Sequence, residues 1–337
     1  MKKLIAAFLA ITFIFILPFQ SYAAEKPSLQ SVAEKTICKS ADLTAENPTI
    51  TYSGIDEFVN TVHSELPNIN DTEISDFLVE YTNQSKDSIS DKEKANYLKS
   101  KEIIITDRFI RIDSAGNKTE LDYYEIIAAI DRERISITLD EYTSDNGYLQ
   151  FKTVISRQSD IVDDYVDYRV GAYAIWLKMP KFHLTDHMFI NFSENVVFDS
   201  GQPIYGKLEE TISCHGTESH YKSQVWKTDD NPDYFTNKNV YVENNHRGGA
   251  IAFKIKPAFK IKCDCGSLIH FKKLTSISAY VSFGISVKAG EMFNIQPVYG
   301  HTKPIGFRTE ISLDGNIFPA NTDTYISDKA TFTAYNG

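Results

Sequence analysis

The sequence predicts an α+β fold: a short helical N-terminal region followed by an antiparallel β-sandwich. Three observations predict it. Apolar residues recur at helical spacing between residues 51 and 131. After Asp131 the apolar period drops from about 3.6 to about 2 and stays there. The strand-rich remainder is roughly two hundred residues long, too much strand for one face to bury, which calls for two packed sheets.

Residues 1–23 have the three parts of a secretory signal peptide. Met1-Lys2-Lys3 is a positive start, Leu4 to Leu17 is apolar except for Thr12, and Ser21-Tyr22-Ala23 offers small residues at the two positions a signal peptidase reads. The apolar run is about 14 residues, short of the roughly 20 a membrane-spanning helix needs. No cysteine lies at the cut and no second long apolar run follows, so the mature chain is expected to be exported, secreted and without a stable membrane anchor.

Residues 24–50 are polar and aperiodic and read as a flexible lead-in. Residues 51–131 form the mostly helical region with a small β element. Ile55, Phe58, Val59 and Val62 share one helical face, and Pro67 closes the segment. Asn70 with Glu73 is a capping box ahead of Ile74, Phe77, Leu78 and Tyr81. Ser90 with Glu93 is another, ahead of Ala95, Tyr97 and Leu98. Ile103–Ile105 and Phe109–Ile112 read as short strands, Ser114 to Asn117 as a turn, and Tyr123, Ile126, Ile127 and Ile130 return to helical spacing.

Residues 132–337 are the expected sandwich domain. Ile135, Ile137 and Leu139 alternate with polar neighbours, and Asp145-Asn146-Gly147 is a hairpin signal before Leu149, Phe151, Thr153 and Ile155. Further strands are expected at Val166–Leu177, Met188–Phe198 and Ile251–Ile255. In 276–288 the odd positions Ile277 to Val287 are apolar, and the even positions carry Ser276, Ser278, Tyr280, Ser282, Gly284, Ser286 and Lys288. This predicts one buried face and one wet face. The acidic stretch Asp160 to Asp167 reads as an exposed loop.

The formal charge is −10, and it becomes more negative once Lys2 and Lys3 leave with the leader. That balance argues against nucleic acid, whose phosphates need clustered cations, and against anionic lipid surfaces. The excess of Tyr and Phe over Trp is first a strand signal.

Four cysteines carry the most specific chemistry: Cys38, Cys214, Cys263 and Cys265. An even count in an exported chain points to disulfide staples. Cys263 and Cys265 flank one residue, so each is expected to pair elsewhere, Cys214 with one of them and Cys38 with the other. A zinc site of Cys214, His215, Cys263 and Cys265 is the rival, although paired C-x-x-C spacing is missing. His183-Leu-Thr-Asp186-His187 resembles a reversed zinc-peptidase motif with a carboxylate one methylene short, in a context that favours a turn between strands. His215 and His220 lie near Cys214, and His301 follows Tyr299-Gly300; each alone reads as a surface or packing histidine. Asp229 to Asp233 lacks the alternation of a calcium loop. No nucleophile elbow, P-loop or dinucleotide fingerprint occurs, so no catalytic residue is named and no cofactor is expected.

Trp176-Leu-Lys-Met-Pro180 followed by Asp186, Tyr81-Thr-Asn-Gln-Ser85, and the stretch from Tyr280-Val-Ser-Phe283 through Tyr299-Gly-His301 resemble segments of uncharacterised exported proteins of Gram-positive bacteria. The resemblance implies a bacterial exported protein with no established activity and no named catalytic residue. The leading function is a secreted, non-catalytic binding protein for a cell-wall, glycan or protein ligand. An extracellular hydrolase with a loop-assembled site is the alternative. A membrane-active β-toxin using strand 276–288 is the third.

Overall fold

The computed structural model describes residues 27–42, 49–82, 84, 89–113, 117–122, 124–130, 146–178, 185–199, 202, 205–214, 217–227, 240–242, 248–254, 273–301, 324–327 and 330–337. The leader, the Ile135–Leu139 segment and Cys263 with Cys265 lie outside them.

Among the described residues, four bounded helices, a further helical segment and sixteen strands follow in chain order. The helices are α1 (Leu29–Thr36), α2 (Ile55–Glu65), α3 (Asp71–Tyr81) and α4 (Asp91–Tyr97); residues 124–130 are also helical. The strands are β1 (Cys38–Asp42), β2 (Thr49–Ser53), β3 (Glu102–Ile112), β4 (Lys118–Leu121), β5 (Gly147–Arg157), β6 (Tyr165–Lys178), β7 (Thr185–Phe192) and β8 (Val196–Phe198), then β9 (Tyr205–Cys214), β10 (Thr217–Lys227), β11 (Val240–Val242), β12 (Gly248–Lys254), β13 (Lys273–Lys288), β14 (Met292–His301), β15 (Thr324–Ser327) and β16 (Ala330–Thr333).

The large sheet has ten strands in the order β1-β2-β3-β5-β6-β13-β9-β10, with β4 on β3 and β8 on β13. The small sheet has six, β11-β12-β7-β14-β15 with β16 on β14. One face of the large sheet packs on the small one, which makes the expected sandwich. Leu149, Phe151, Val170, Trp176, Val281 and Phe283 from the large sheet meet Met188, Ile190, Phe293, Ile295 and Tyr299 from the small. Trp176 Nε1 donates to the Tyr299 hydroxyl at 2.7 Å across the two sheets, which satisfies a polar atom that burial would otherwise penalise.

The helices cover the opposite face of the large sheet. Ile55, Phe58, Val62, Ile74 and Leu78 pack on Tyr52, Ile103, Ile105, Val154, Tyr173 and Tyr280. Ile126 and Ile130 extend this layer over Tyr148. The molecule is thus three layers deep: helices, large sheet, small sheet. Both capping boxes read from the sequence are formed, Asn70 with Glu73 and Ser90 with Glu93.

Four expectations change. The lead-in over 24–50 instead holds α1, with its own Ser28–Ser31 capping box, and β1. The box and the burial of Val32 and Ala33 stabilise a helix too short for the periodicity to reveal. The two short strands at 103–112 are one continuous β3. Its polar middle stays in the sheet because Asp107 accepts from Gln150 at 2.9 Å and Arg108 donates to Glu120 at 2.9 Å. That strand pairs along its length with β5, so the large sheet spans the expected 131/132 boundary. Met188–Phe198 divides at Ser193–Asn195: β7 joins the small sheet and β8 the large one. Finally, the middle of the serine-bearing face of β13 is not wet, although Ser276, Ser278 and Ser286 are half-buried and Lys288 is exposed. Tyr280 and Ser282 are buried under the helices, which removes the amphipathic pore-strand pattern that motivated the toxin reading.

Candidate functional site

Odd positions of β6 (Arg169, Gly171, Tyr173) and the even positions of β13 opposite them (Gly284, Ser282, Tyr280), together with α4, build a closed polar cluster. Glu93 sits on α4 at 3% exposure, Arg169 on β6 at 7% and Ser282 on β13 at 0%. Arg169 Nη2 donates to Ser282 Oγ at 2.8 Å, and Ser282 Oγ donates to Glu93 Oε1 at 2.9 Å. The second carboxylate oxygen of Glu93 accepts from the Ser90 amide at 3.2 Å and the Ser90 hydroxyl at 3.1 Å. Tyr280 also hydrogen-bonds the carboxylate. Arg169 Nη1 donates to Gln202 Oε1 at 3.1 Å, while its Nε finds no partner.

Two glycines make the space. A Cβ on Gly171 would come within 2.9 Å of the Tyr280 ring, and one on Gly284 within 2.7 Å of Gln202. Tyr280 stacks on Tyr173 with ring centroids 4.2 Å apart. Burial pushes the Glu93 carboxyl above its ordinary range, against the pull of Arg169 and the donors around it. Burial likewise raises the hydroxyls of Tyr173 and Tyr280, which stay neutral donors. A cavity of about 20 Å³ remains, lined by Glu93, Tyr97, Arg169, Gly171, Tyr173 and Tyr280 among others. It has room for one water and none for a substrate. Chemically this cluster clamps α4 to the sheet.

A second feature lies at one end of the sandwich, where three turns and residues 334–337 converge. The β5–β6 turn is closed by Val162 N to Tyr165 O at 2.8 Å and Tyr165 N to Val162 O at 2.9 Å. The β13–β14 turn docks on it through Ala289 N to Asp164 O at 2.8 Å. The C-terminal residues join through Ala334 N to Glu291 O at 2.8 Å, and Tyr335 lies 3.9 Å from the Arg157 guanidinium. The β7–β8 turn is tied in by Asn195 Nδ2 donating to the Met292 carbonyl at 2.9 Å. Among the described residues eight large apolar side chains are exposed, and six of them are here: Ile161, Val162, Tyr165, Val197, Met292 and Tyr335. Asp163 and Asp164 at the turn tip both have positive φ, 49° and 68°. The expected acidic loop is therefore a tight turn whose last residues, from Tyr165, enter β6.

Neither feature contains the cysteines or histidines singled out from the sequence. Cys38 is exposed and free on edge strand β1. Cys214 ends β9, and five strands separate it from β1, so these two have no direct route to each other. The pairings proposed for Cys263 and Cys265, and His183, His215 and Asp229–Asp233, lie outside the described residues. Asp186 and His187 are consecutive residues of strand β7, so they do not lie on the helix a zinc-peptidase motif needs. His220 lies on β10 opposite Thr211, and His301 ends β14. Among the described residues no group of three or more His, Cys, Asp or Glu could hold a metal, and no helix is long and apolar enough to cross a membrane.

Sequence reasoning missed Arg169 and Gln202, and it named Glu93 only as a cap. The available signal was Gly171 and Gly284 within strands, which mark close approach.

No family model matches the chain, and no curated protein matches it. Among solved structures it is similar to the collagen-binding domain of a Staphylococcus aureus adhesin, at 7% identity and TM-score 0.21 over 51% of this chain and 89% of that one. It is also similar to the collagen-binding domain of the Erysipelothrix rhusiopathiae surface protein RspB, at 7% identity and TM-score 0.20 over 72% and 68%. A third is the membrane-inserted Clostridium perfringens NetB toxin, at 7% and 0.19 over 56% and 89%. Likenesses at these scores carry no argument about function.

Proposed function

We propose that this chain is an exported, non-catalytic binding protein that meets an extracellular cell-wall, glycan or protein partner through the turn-rich end of its sandwich. The observation that carries the reading is that, among the described residues, six of the eight exposed large apolar side chains lie at that end. Apolar side chains grouped on an otherwise charged surface mark interaction sites. Support comes also from the polar cluster under α4, whose groups are turned on one another around a one-water cavity. The leader-like residues 1–23 and the acidic charge fit an extracellular setting. The test is binding of the full mature chain to cell-wall preparations and to glycan and protein arrays, repeated with Val162→Ser/Met292→Ser. A partner lost with that variant supports the reading. Silence across every panel, or binding that the variant leaves intact, overturns it.

A further inference from the structure

We infer that the turn-rich end accepts a cationic, amphipathic protein segment, an inference that rests on the binding role proposed above. Asp160, Asp163, Asp164 and Glu194 are exposed around the apolar residues, with Glu291 half-buried beside them. Opposing them are Lys288, Arg157 and Lys101, the last of them paired with Asp56 at 2.8 Å. Arg157 is already committed, 3.1 Å from Asp160 and 3.8 Å from Glu102, with Tyr335 against its guanidinium. This end of the sandwich therefore carries exposed apolar side chains among more acidic than basic ones. That combination attracts a chain carrying Lys or Arg beside apolar residues, and repels anionic lipid and nucleic acid.

The turn itself is built to present charge. A two-residue turn with both central φ values positive is ordinarily filled by Asn-Gly or Gly-Gly. Here Asp163 and Asp164 hold it, at φ 49° and 68°, which places two carboxylates at the tip at a conformational cost. The surface is also held in place before binding. The Val162–Tyr165 pair, the Ala289–Asp164 bond and the Asn195–Met292 bond fix the turns on one another, so little ordering is lost on contact.

The experiment measures, by fluorescence anisotropy, the affinity of the full mature chain for a short synthetic peptide of alternating Lys and Leu, and for its Glu-Leu counterpart. The expected result is binding of the Lys-Leu peptide at least about tenfold tighter than the Glu-Leu peptide. Asp163→Asn/Asp164→Asn/Glu194→Gln should weaken it about tenfold, whereas the same charge removal on the helical layer, Glu57→Gln/Glu65→Gln/Glu80→Gln, should leave it within about twofold. Equal loss in the two triple variants means attraction to net charge alone and overturns the inference. Equal affinity for both peptides, each weakened by Val162→Ser/Met292→Ser, overturns the cationic preference and leaves the binding surface standing. No binding of either peptide, with a partner found on the arrays above, overturns the inference while the proposed function survives.

Discussion

Replacing Ser282 with alanine tests the polar clamp at its centre. The Ser282 hydroxyl accepts from Arg169 and donates to Glu93, and it is wholly enclosed. Without it, Arg169 Nη2 and Glu93 Oε1 each lose a partner inside the protein. A buried polar group left unsatisfied costs about 1–3 kcal/mol, and more when charged. Two such groups set a cost of about 2–6 kcal/mol, the lower end applying if a water from the adjoining cavity moves in. Ser286 is the internal control. It lies four residues on, on the same face of β13, and donates to the half-buried Asp167 at 2.6 Å. Its loss should cost about 1 kcal/mol or less, because solvent reaches the pair. Urea unfolding of both variants, followed by circular dichroism, gives the comparison. The reasoning fails if Ser282→Ala costs under about 1 kcal/mol, or no more than Ser286→Ala.

Glu93 carries a pH signature. Its carboxyl is raised in the folded protein, chiefly by burial, so folding favours the protonated form. Its stabilising contribution is complete below the unfolded carboxyl value and fades as pH rises through the folded one. Stability of the native chain minus that of Glu93→Gln should therefore grow as pH falls from about 8 to about 5; a flat difference would contradict it. Gly171→Ala should lower stability by about 1–3 kcal/mol in thermal unfolding, because the new methyl meets Tyr280, which is stacked on Tyr173 and cannot yield freely. At the turn tip, Asp164→Val should cost about 1–2 kcal/mol, since a β-branched residue resists φ 68°, whereas Asp164→Asn should stay within about 0.5 kcal/mol.

The readable parts of the fold were those with a local cause. Ile55, Phe58 and Val62 lie within two helical turns, and the Asn70–Glu73 and Ser90–Glu93 boxes span three residues each. The alternation in β5 and β13 needs only neighbours two apart. α1 escaped because eight residues with two buried positions leave too short a period. β3 was read as two strands because Asp107 and Arg108 look like a break until Gln150, Lys152 and Glu120 stand beside them.

By itself, then, the sequence determined the signal-like start, the helices around 55–65, 71–81 and 91–97, and the apolar faces of β5 and β13, because these are short-range patterns along one chain. Tertiary structure alone decided what covers the other face. The strand order sets β6 beside β13 and lays α4 across them, so that Arg169 and Glu93 meet Ser282 from 113 and 189 residues away. The same order brings the turns at 158–165, 193–195 and 288–292 to one end, with their apolar side chains together. A one-dimensional pattern holds no record of strand order. It could thus mark Ser282 as polar and Ile161 as apolar, but not that the first is sealed within the protein and the second exposed at the same end as Met292 and Tyr335.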